Sequence, residues 1–290
     1  GGCHYTPRTE YVDVYLNNRF LGNYLMTQAV GEGKEKVDID ITKNEFLFEY
    51  EPFVGYSNPN CIATPILGIL LGFNEPEQPT AEQFEWLNLF LAEAESALVS
   101  YDFERIAEYF DIDSFVDFYI VNELFKDVDF STSSTRFYLK KGRLYAGPLW
   151  DMDLSSGNVS EEAGYYGEYW NSNTSGDSTE SFYCRKIWYR ELFGCQKFGE
   201  LVRKRYAKLQ PQIVNLTTDN ELGLNRIDRL IAKYGKSFAA NYEKAGWSVS
   251  YVYGEFESRY PAKTYEGNVE YLREWLIRRN AWLLHELGIS

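Results

Sequence analysis

The amino-acid sequence predicts an α+β protein, in which a small antiparallel β portion precedes a largely helical portion. Residues 10–30 alternate β-forming side chains around an Asn-rich turn, a pattern typical of a β-hairpin. Residues 182–287 carry mostly helical patterns, and no repeat of fixed period interrupts them. Strands that come first and helices that follow are typical of the α+β class. We therefore divide the chain into residues 1–79, rich in strands, and residues 80–290, rich in helices.

The elements between these two patterns follow in order. Residues 45–52, "EFLFEYEP", predict a third strand, and the Pro-, Asn- and Gly-rich residues 52–80 predict a loop. Thr80, with Gln83 three residues later, forms the capping-box pattern at the start of an amphipathic helix. Residues 111–127, "DIDSFVDFYIVNELFKD", predict a second helix, which should be buried because apolar side chains nearly surround it.

A second hairpin is predicted at residues 135–154, "TRFYLKKGRLYAGPLWDMDL". Its first strand runs to a Lys-Gly turn, and its second strand ends on Asp151 and Asp153. Residues two apart on a strand point to the same face, so we expect these two carboxylates to point the same way. Residues 155–181 then predict a long loop rich in Ser, Gly and Tyr, of a length that is usually functional or mobile.

Composition excludes several classes of protein. The net charge of −14 would repel a nucleic acid, whose binding proteins display basic faces. ATP remains compatible with an acidic protein, because Mg²⁺ held by carboxylates handles its phosphates. No apolar run is long enough to span a bilayer. We therefore expect neither a nucleic-acid partner nor a membrane span. Because the chain starts "GGCHYTPRTE", without an initiator Met, we expect a fragment or processed form.

The four cysteines do not indicate a metal site. They show no Cys-x-x-Cys spacing, and the chain has only two histidines, so a structural zinc is not expected. Cys184 and Cys195 are close enough in sequence for a local disulfide in an exported protein. Four separate thiols are the other interpretation.

Two pairs of aspartates form the main candidate site. Asp127 and Asp129 stand at the end of the predicted buried helix, and Asp151 and Asp153 stand at the end of the hairpin. If the hairpin folds back on the helix, these carboxylates converge, and a hard cation such as Mg²⁺ or Ca²⁺ would neutralise their repulsion. Three other interpretations fit the pattern: the start of an EF-hand loop, solvated turn aspartates, and the paired carboxylates of a glycosidase.

The order of these segments resembles the CotH kinase family, whose prototype is spore coat protein H, an atypical protein kinase. The similarity is carried by "PRTEYVDVYLNNRFLGNYLMTQ", by "YLREWLIRRNAWL", and above all by "FVDFYIVNELFKDVDFSTSSTRFYLKKGRLYAGPLWDMDLSSGN". The last segment resembles the family signature, a helix ending in Asn-x-Asp followed by a hairpin ending in Pro-x-Trp-Asp-x-Asp. The resemblance implies an atypical protein-kinase-like fold, of which residues 1–79 are the remnant of an N-terminal lobe whose earlier part is missing.

The resemblance also implies roles for single residues. Asp129 matches the aspartate that acts as the catalytic base and orients the acceptor hydroxyl. Ser134 falls where protein kinases place a metal-binding Asn, and Asp151 matches the metal-binding aspartate. Asp153 is the neighbouring candidate for a second ion. The implied cofactors are ATP and Mg²⁺, and the implied partner is a protein with Ser or Thr acceptors, extracytoplasmic or in the spore coat of a bacterium.

The chain departs from the family pattern at two positions and in its basic residues. Asp127 stands where an Asn is common, and Gln28 stands where a Glu is usual. The phosphate-contacting Lys and Arg residues of the family precede the point where this chain begins. These departures favour a second hypothesis, a non-catalytic structural or interaction module of a spore coat, cell surface or polysaccharide-degrading assembly. Tyr165, Tyr166, Tyr169 and Trp170 would then bind a glycan, or else they cover the site.

Overall fold

The structure is a computed structural model that describes residues 2–52, 60–158, 178–248 and 264–290. Antiparallel strands dominate the first part of the chain, and helices dominate the part after residue 188. The α+β prediction is therefore confirmed.

The first element is a two-stranded hairpin of β1 (Thr9–Leu16) and β2 (Arg19–Thr27). Asn17 and Asn18 connect the strands with φ angles of 49° and 63°, the left-handed conformation that Asn tolerates in a tight hairpin turn. The predicted hairpin is confirmed. Gly22 is required in β2, because a Cβ at this position would lie 2.4 Å from the Trp247 ring.

A five-stranded antiparallel sheet forms the second β unit, with the strand order β4-β5-β3-β6-β7. Its members are β3 (Phe46–Tyr50), β4 (Cys61–Ala63), β5 (Leu70–Glu75), β6 (Arg136–Lys140) and β7 (Arg143–Ala146). The central strand β3 pairs with both β5 and β6, so the sheet joins segments that are far apart in sequence.

The prediction of a loop over residues 52–80 was wrong, because β4 and β5 lie within it. Strand β5 pairs on both sides, and its first four residues are buried. A strand buried on both faces has a continuous apolar run instead of an alternating pattern, so its sequence carries no period-two signal.

The helices begin with α1 (Ala81–Val99), where Thr80 and Gln83 form the predicted capping box. Helix α2 (Phe103–Tyr109) leads into the buried α3 (Ile112–Phe125), which ends two residues before the predicted end at residue 127. The remaining helices are α4 (Tyr189–Gly194), α5 (Gln196–Lys208), α6 (Gln210–Val214), α7 (Arg226–Glu243) and α8 (Tyr265–Glu286).

The main core lies between the five-stranded sheet and helices α1, α3, α4 and α5. Its largest buried rings include Phe115, Phe137, Trp188 and Tyr189, whose centroids lie 4.9–6.4 Å apart where they pair. Aromatic residues therefore fill this core, and α3 passes through its centre.

Two further expectations from the sequence concern the cysteines and a membrane span. All four cysteines, each within the described residues, are free thiols, so Cys184 and Cys195 do not form the local disulfide that was considered. Both are buried. In the described ranges, no helix combines the length and the apolar composition that crossing a membrane requires.

Candidate active site

The segment with Asp151 and Asp153 lies beyond the hairpin and not on its second strand. Strand β7 ends at Ala146, and the chain then turns through Gly147 and Pro148. Asp151 has a φ of 55°, the left-handed conformation, and both aspartates are exposed. The expectation that the strand geometry aligns the two carboxylates was therefore wrong, because an irregular segment carries them.

The other pair follows the C-terminus of α3. Asp127 caps a 3₁₀ helix (Val128–Ser131), and its Oδ1 accepts a hydrogen bond of 3.2 Å from the amide of Asp129. The carboxylate of Asp129 accepts a 3.0 Å hydrogen bond from the hydroxyl of Thr132. Asp127 is 4% exposed and Asp129 is 9% exposed. Asp129 is thus held in a fixed and largely enclosed position.

Backbone hydrogen bonds join these two acidic segments directly. The amide of Val128 donates to the carbonyl of Leu154 over 3.1 Å, and the amide of Ser156 donates to the carbonyl of Phe125 over 2.6 Å. The end of α3 and the segment after Asp153 are therefore paired like a short ladder. This pairing brings the two segments that carry the aspartates side by side.

The carboxylates of the two acidic segments interact electrostatically. Burial raises the pKa of Asp127 to about 8, and the charges of Asp129, Asp153 and Asp151 add to the effect. Although Asp153 is exposed, the surrounding protein removes part of its water, and this desolvation raises its pKa together with the charge of Asp151. The site therefore carries repulsion that a cation would relieve.

Ser134 connects Asp151 to the five-stranded sheet. Its hydroxyl lies 3.3 Å from Oδ2 of Asp151, and its amide donates a 3.0 Å hydrogen bond to Oε1 of Glu49 on β3. The other oxygen of Glu49 accepts from Arg136 on β6 over 2.8 Å, and the guanidinium of Arg136 lies 5.1 Å from the centre of the Trp150 ring. Ser134 itself is in the left-handed conformation, with a φ of 56°.

This arrangement places Ser134 beside Asp151 in a strained backbone conformation. A non-glycine residue in the left-handed region costs roughly 1–2 kcal/mol, and here two contacting residues adopt it. The partly buried Arg136–Glu49 ion pair offsets this strain, because Glu49 also accepts the hydrogen bond from the amide of Ser134. The sequence did not predict the roles of Glu49 and Trp150. Their only signal was an acidic residue in β3 and an aromatic residue directly before Asp151.

A cavity of about 400 Å³ opens beside the carboxylates, between the β1–β2 hairpin and residues 149–153. Asp151 and Asp153 line one wall, and Leu25 and Thr27 of β2 line the opposite wall. The volume lies within the range of 300–1,000 Å³ that is typical of small-ligand sites. Among the described lining residues there is no Lys or Arg, so the phosphate-contacting cations of a kinase are not present in this wall.

The oxygen donors in this cleft fit a divalent cation of the Mg²⁺ type, which prefers carboxylate and hydroxyl oxygens. Asp151 and Asp153 line the cleft, and the hydroxyl of Ser134 lies 3.3 Å from Oδ2 of Asp151. In the described part of the chain, however, no group of three or more His, Cys, Asp or Glu side chains is arranged as a metal site. Mg²⁺ sites commonly use one or two protein carboxylates and complete their coordination with water and substrate phosphates.

A cluster of buried charges holds the segment around residues 178–184 against the C-terminus of α3. Arg279 of α8 forms a 2.6 Å ion pair with Glu123, which also accepts hydrogen bonds from the amides of Tyr183 and Cys184. Lys126 donates to the carbonyls of Ser178 and Glu180. The predicted loop over residues 155–181 therefore returns to a rigid frame beside the aspartates, while residues 159–177, including Tyr165, Tyr166, Tyr169 and Trp170, lie outside the described residues.

The fold is α+β, and the acidic segment with Asp151 and Asp153 lines a cleft. The family model described as CotH kinase protein matches residues 3–283, so this chain belongs to the CotH kinase family. A comparison with curated proteins found no significant match. The resemblance stated from the sequence is thereby confirmed, and it supports a kinase-fold protein.

Proposed function

We propose that this protein is a Mg²⁺-dependent kinase that transfers the γ-phosphate of ATP to a Ser or Thr of another protein. The main observation that supports this proposal is the cleft in which Asp151 and Asp153 form one wall. The hydroxyl of Ser134 lies 3.3 Å from Asp151. Family membership supports the same reaction class. Phosphoryl transfer depends mainly on positioning and charge neutralisation, which such a cleft provides.

Each candidate residue has a role in this proposal. Asp151 and Asp153 would hold Mg²⁺, with Ser134 as a further oxygen ligand or as the residue that orients Asp151. The bound metal would supply charge neutralisation at the β- and γ-phosphates. Asp129 orients the acceptor hydroxyl and takes its proton as the new oxygen–phosphorus bond forms. The bond between the γ-phosphorus and the bridging oxygen breaks, and ADP leaves with that electron pair.

Labelled ATP and a candidate protein acceptor test this proposal. Wild-type protein should transfer label in the presence of Mg²⁺, whereas Asp151→Asn and Asp129→Ala should lower the rate by about 10²-fold or more, because electrostatic and acid–base contributions of this size are typical. Asp113→Asn, an equivalent change at an exposed position of α3, should keep the wild-type rate. Equal labelling by all four proteins would exclude the catalytic assignment.

A second candidate function is a non-catalytic module of a coat, cell-surface or polysaccharide-degrading assembly. It is favoured by the described lining of the cleft, which contains no Lys or Arg to hold phosphates. Calorimetry separates the two functions: heat from MgATP supports the kinase, and heat from oligosaccharides without any from MgATP supports the module. For either function we propose an extracytoplasmic or spore-coat location in a bacterium, which fractionation of the source cells would test.

A further inference from the structure

A second and larger cavity lies on the other side of the segment that carries the aspartates. Its volume is about 680 Å³, and it is bounded by the end of α3, the start of α7 and one face of α8. Met152 and Asp153 line both this cavity and the smaller one beside the β1–β2 hairpin. One short segment thus forms a wall shared by two separate compartments.

The chemistry of this larger cavity is mainly apolar. Its apolar lining is contributed by Phe125, Met152, Leu216, Ile227, Leu272 and Leu276. Among the described residues that line the cavity, Asp153 contributes a carboxylate. It lies in the wall that this cavity shares with the smaller one. Such a cavity can bury a large apolar side chain of a ligand next to a carboxylate of the proposed reaction centre.

Two polar groups in the lining indicate what kind of ligand enters. Oδ1 of Asn268 is buried and has no hydrogen-bond partner within the described residues. A buried amide oxygen without a partner is unfavourable, and the backbone amide of a peptide would satisfy it. Arg226 is exposed and forms no ion pair with any described residue, so its charge disfavours a basic side chain at that end.

We propose that this cavity is the docking site for the acceptor protein, and that it takes an apolar side chain close to the Ser or Thr to be phosphorylated. The inference rests on the proposed kinase function, because it assigns the donor and the acceptor to the two compartments that share Met152 and Asp153. The acceptor is an extended segment in which Leu or Phe fills the cavity. Its backbone amide donates to Asn268.

Peptides with a central Ser and a variable neighbour test the proposal. Peptides with Leu or Phe at that neighbouring position should bind and be phosphorylated better than otherwise identical peptides with Ala or Lys. Leu272→Glu places a charge in the cavity, whereas Ile277→Glu places the same charge at an exposed position of α8 outside the cavity. Leu272→Glu should raise KM for the Leu peptide about tenfold or more, while KM for ATP stays within about twofold.

Two measurements keep this test separate from the test of the kinase function. Fluorescence anisotropy of labelled peptide, without ATP, reports docking alone, and labelled phosphate reports transfer. If binding depends on Leu272 but wild type transfers no phosphate, the kinase function fails and the docking site stands. If phosphate is transferred and Leu272→Glu behaves as Ile277→Glu does, the docking site is wrong and the kinase function stands.

The remaining outcomes also decide the inference. Leu272 is 36% exposed, so its substitution should leave the thermal unfolding of the protein close to that of Ile277→Glu. If Leu272→Glu unfolds, Leu272→Ala replaces it and should lower the preference for Leu over Ala peptides. Equal affinity of wild-type protein for Leu, Ala and Lys peptides would overturn the proposal, as would binding of only non-peptide apolar compounds.

Discussion

The buried carboxyl of Asp127 gives the sharpest test of the acidic site. Burial raises the pKa of Asp127 from 3.8 to about 8, so the group is mostly protonated at neutral pH. A protonated carboxyl is uncharged, like the Asn that the family resemblance places at this position. We therefore predict that Asp127→Asn preserves the structure, since an amide oxygen can still accept the hydrogen bond from Asp129.

The size of the expected change in the free energy of unfolding follows from proton linkage. The folded state keeps the proton of Asp127 up to about pH 8, whereas the unfolded chain releases it near 3.8. The stability that comes from this proton is fully present below pH 3.8 and is lost as the pH rises to about 8. Between these values one group contributes a slope of about −1.4 kcal/mol per pH unit, or roughly 2.7 kcal/mol between pH 5 and pH 7.

Urea unfolding at several pH values between about 5 and 7, in the presence of a metal chelator, measures this slope. The free energy of unfolding of Asp127→Asn should fall less steeply with pH than that of wild type, by about 1.4 kcal/mol per unit. The repulsion felt by Asp153 should not change, because Asp127 is already neutral over this range. Asp113→Asn, at an exposed position, should retain the wild-type slope.

Two outcomes would refute the reasoning. If Asp127→Asn and wild type show the same slope, Asp127 is ionised in the folded protein, and the site carries one more negative charge than we infer. If Asp127→Asn is destabilised by several kcal/mol at every pH, the carboxyl has a structural role that an amide cannot fill. Either result would change the charge that a bound cation has to balance.

Two further predictions concern the neighbours of this site. Ser134→Ala removes the hydroxyl beside Asp151, the proposed metal ligand, so half-maximal labelling should require about tenfold more Mg²⁺. Ser133→Ala is its control, and an equal shift in both variants would contradict the role of Ser134. Arg279→Met leaves the buried carboxylate of Glu123 without its cation, so the free energy of unfolding should fall by about 3–5 kcal/mol in urea titrations. The exposed Arg278→Met should change it by less than about 1 kcal/mol, and a similar loss in both would show that the buried pair is not what stabilises α8.

The sequence determined the parts of the fold that depend on local patterns. The sequence was sufficient to predict the Asn17-Asn18 hairpin, the Thr80 capping box and the burial of α3. A turn, a cap and a helical period each involve residues that are close in the chain. Strands β4 and β5 could not be predicted from the sequence, because their burial depends on the pairing of β5 with both β4 and β3.

The candidate site likewise has features that the sequence predicts and features that only the tertiary structure shows. The sequence alone determined which carboxylates are available, and the spacing of Asp129, Asp151 and Asp153 pointed to the family. Only the tertiary structure decided that Glu49, from a strand far away in sequence, holds the amide of Ser134, and that one segment separates two cavities. The physical reason is that residue types and short spacings are local, whereas burial, a raised pKa and a shared cavity wall arise only when distant segments pack together.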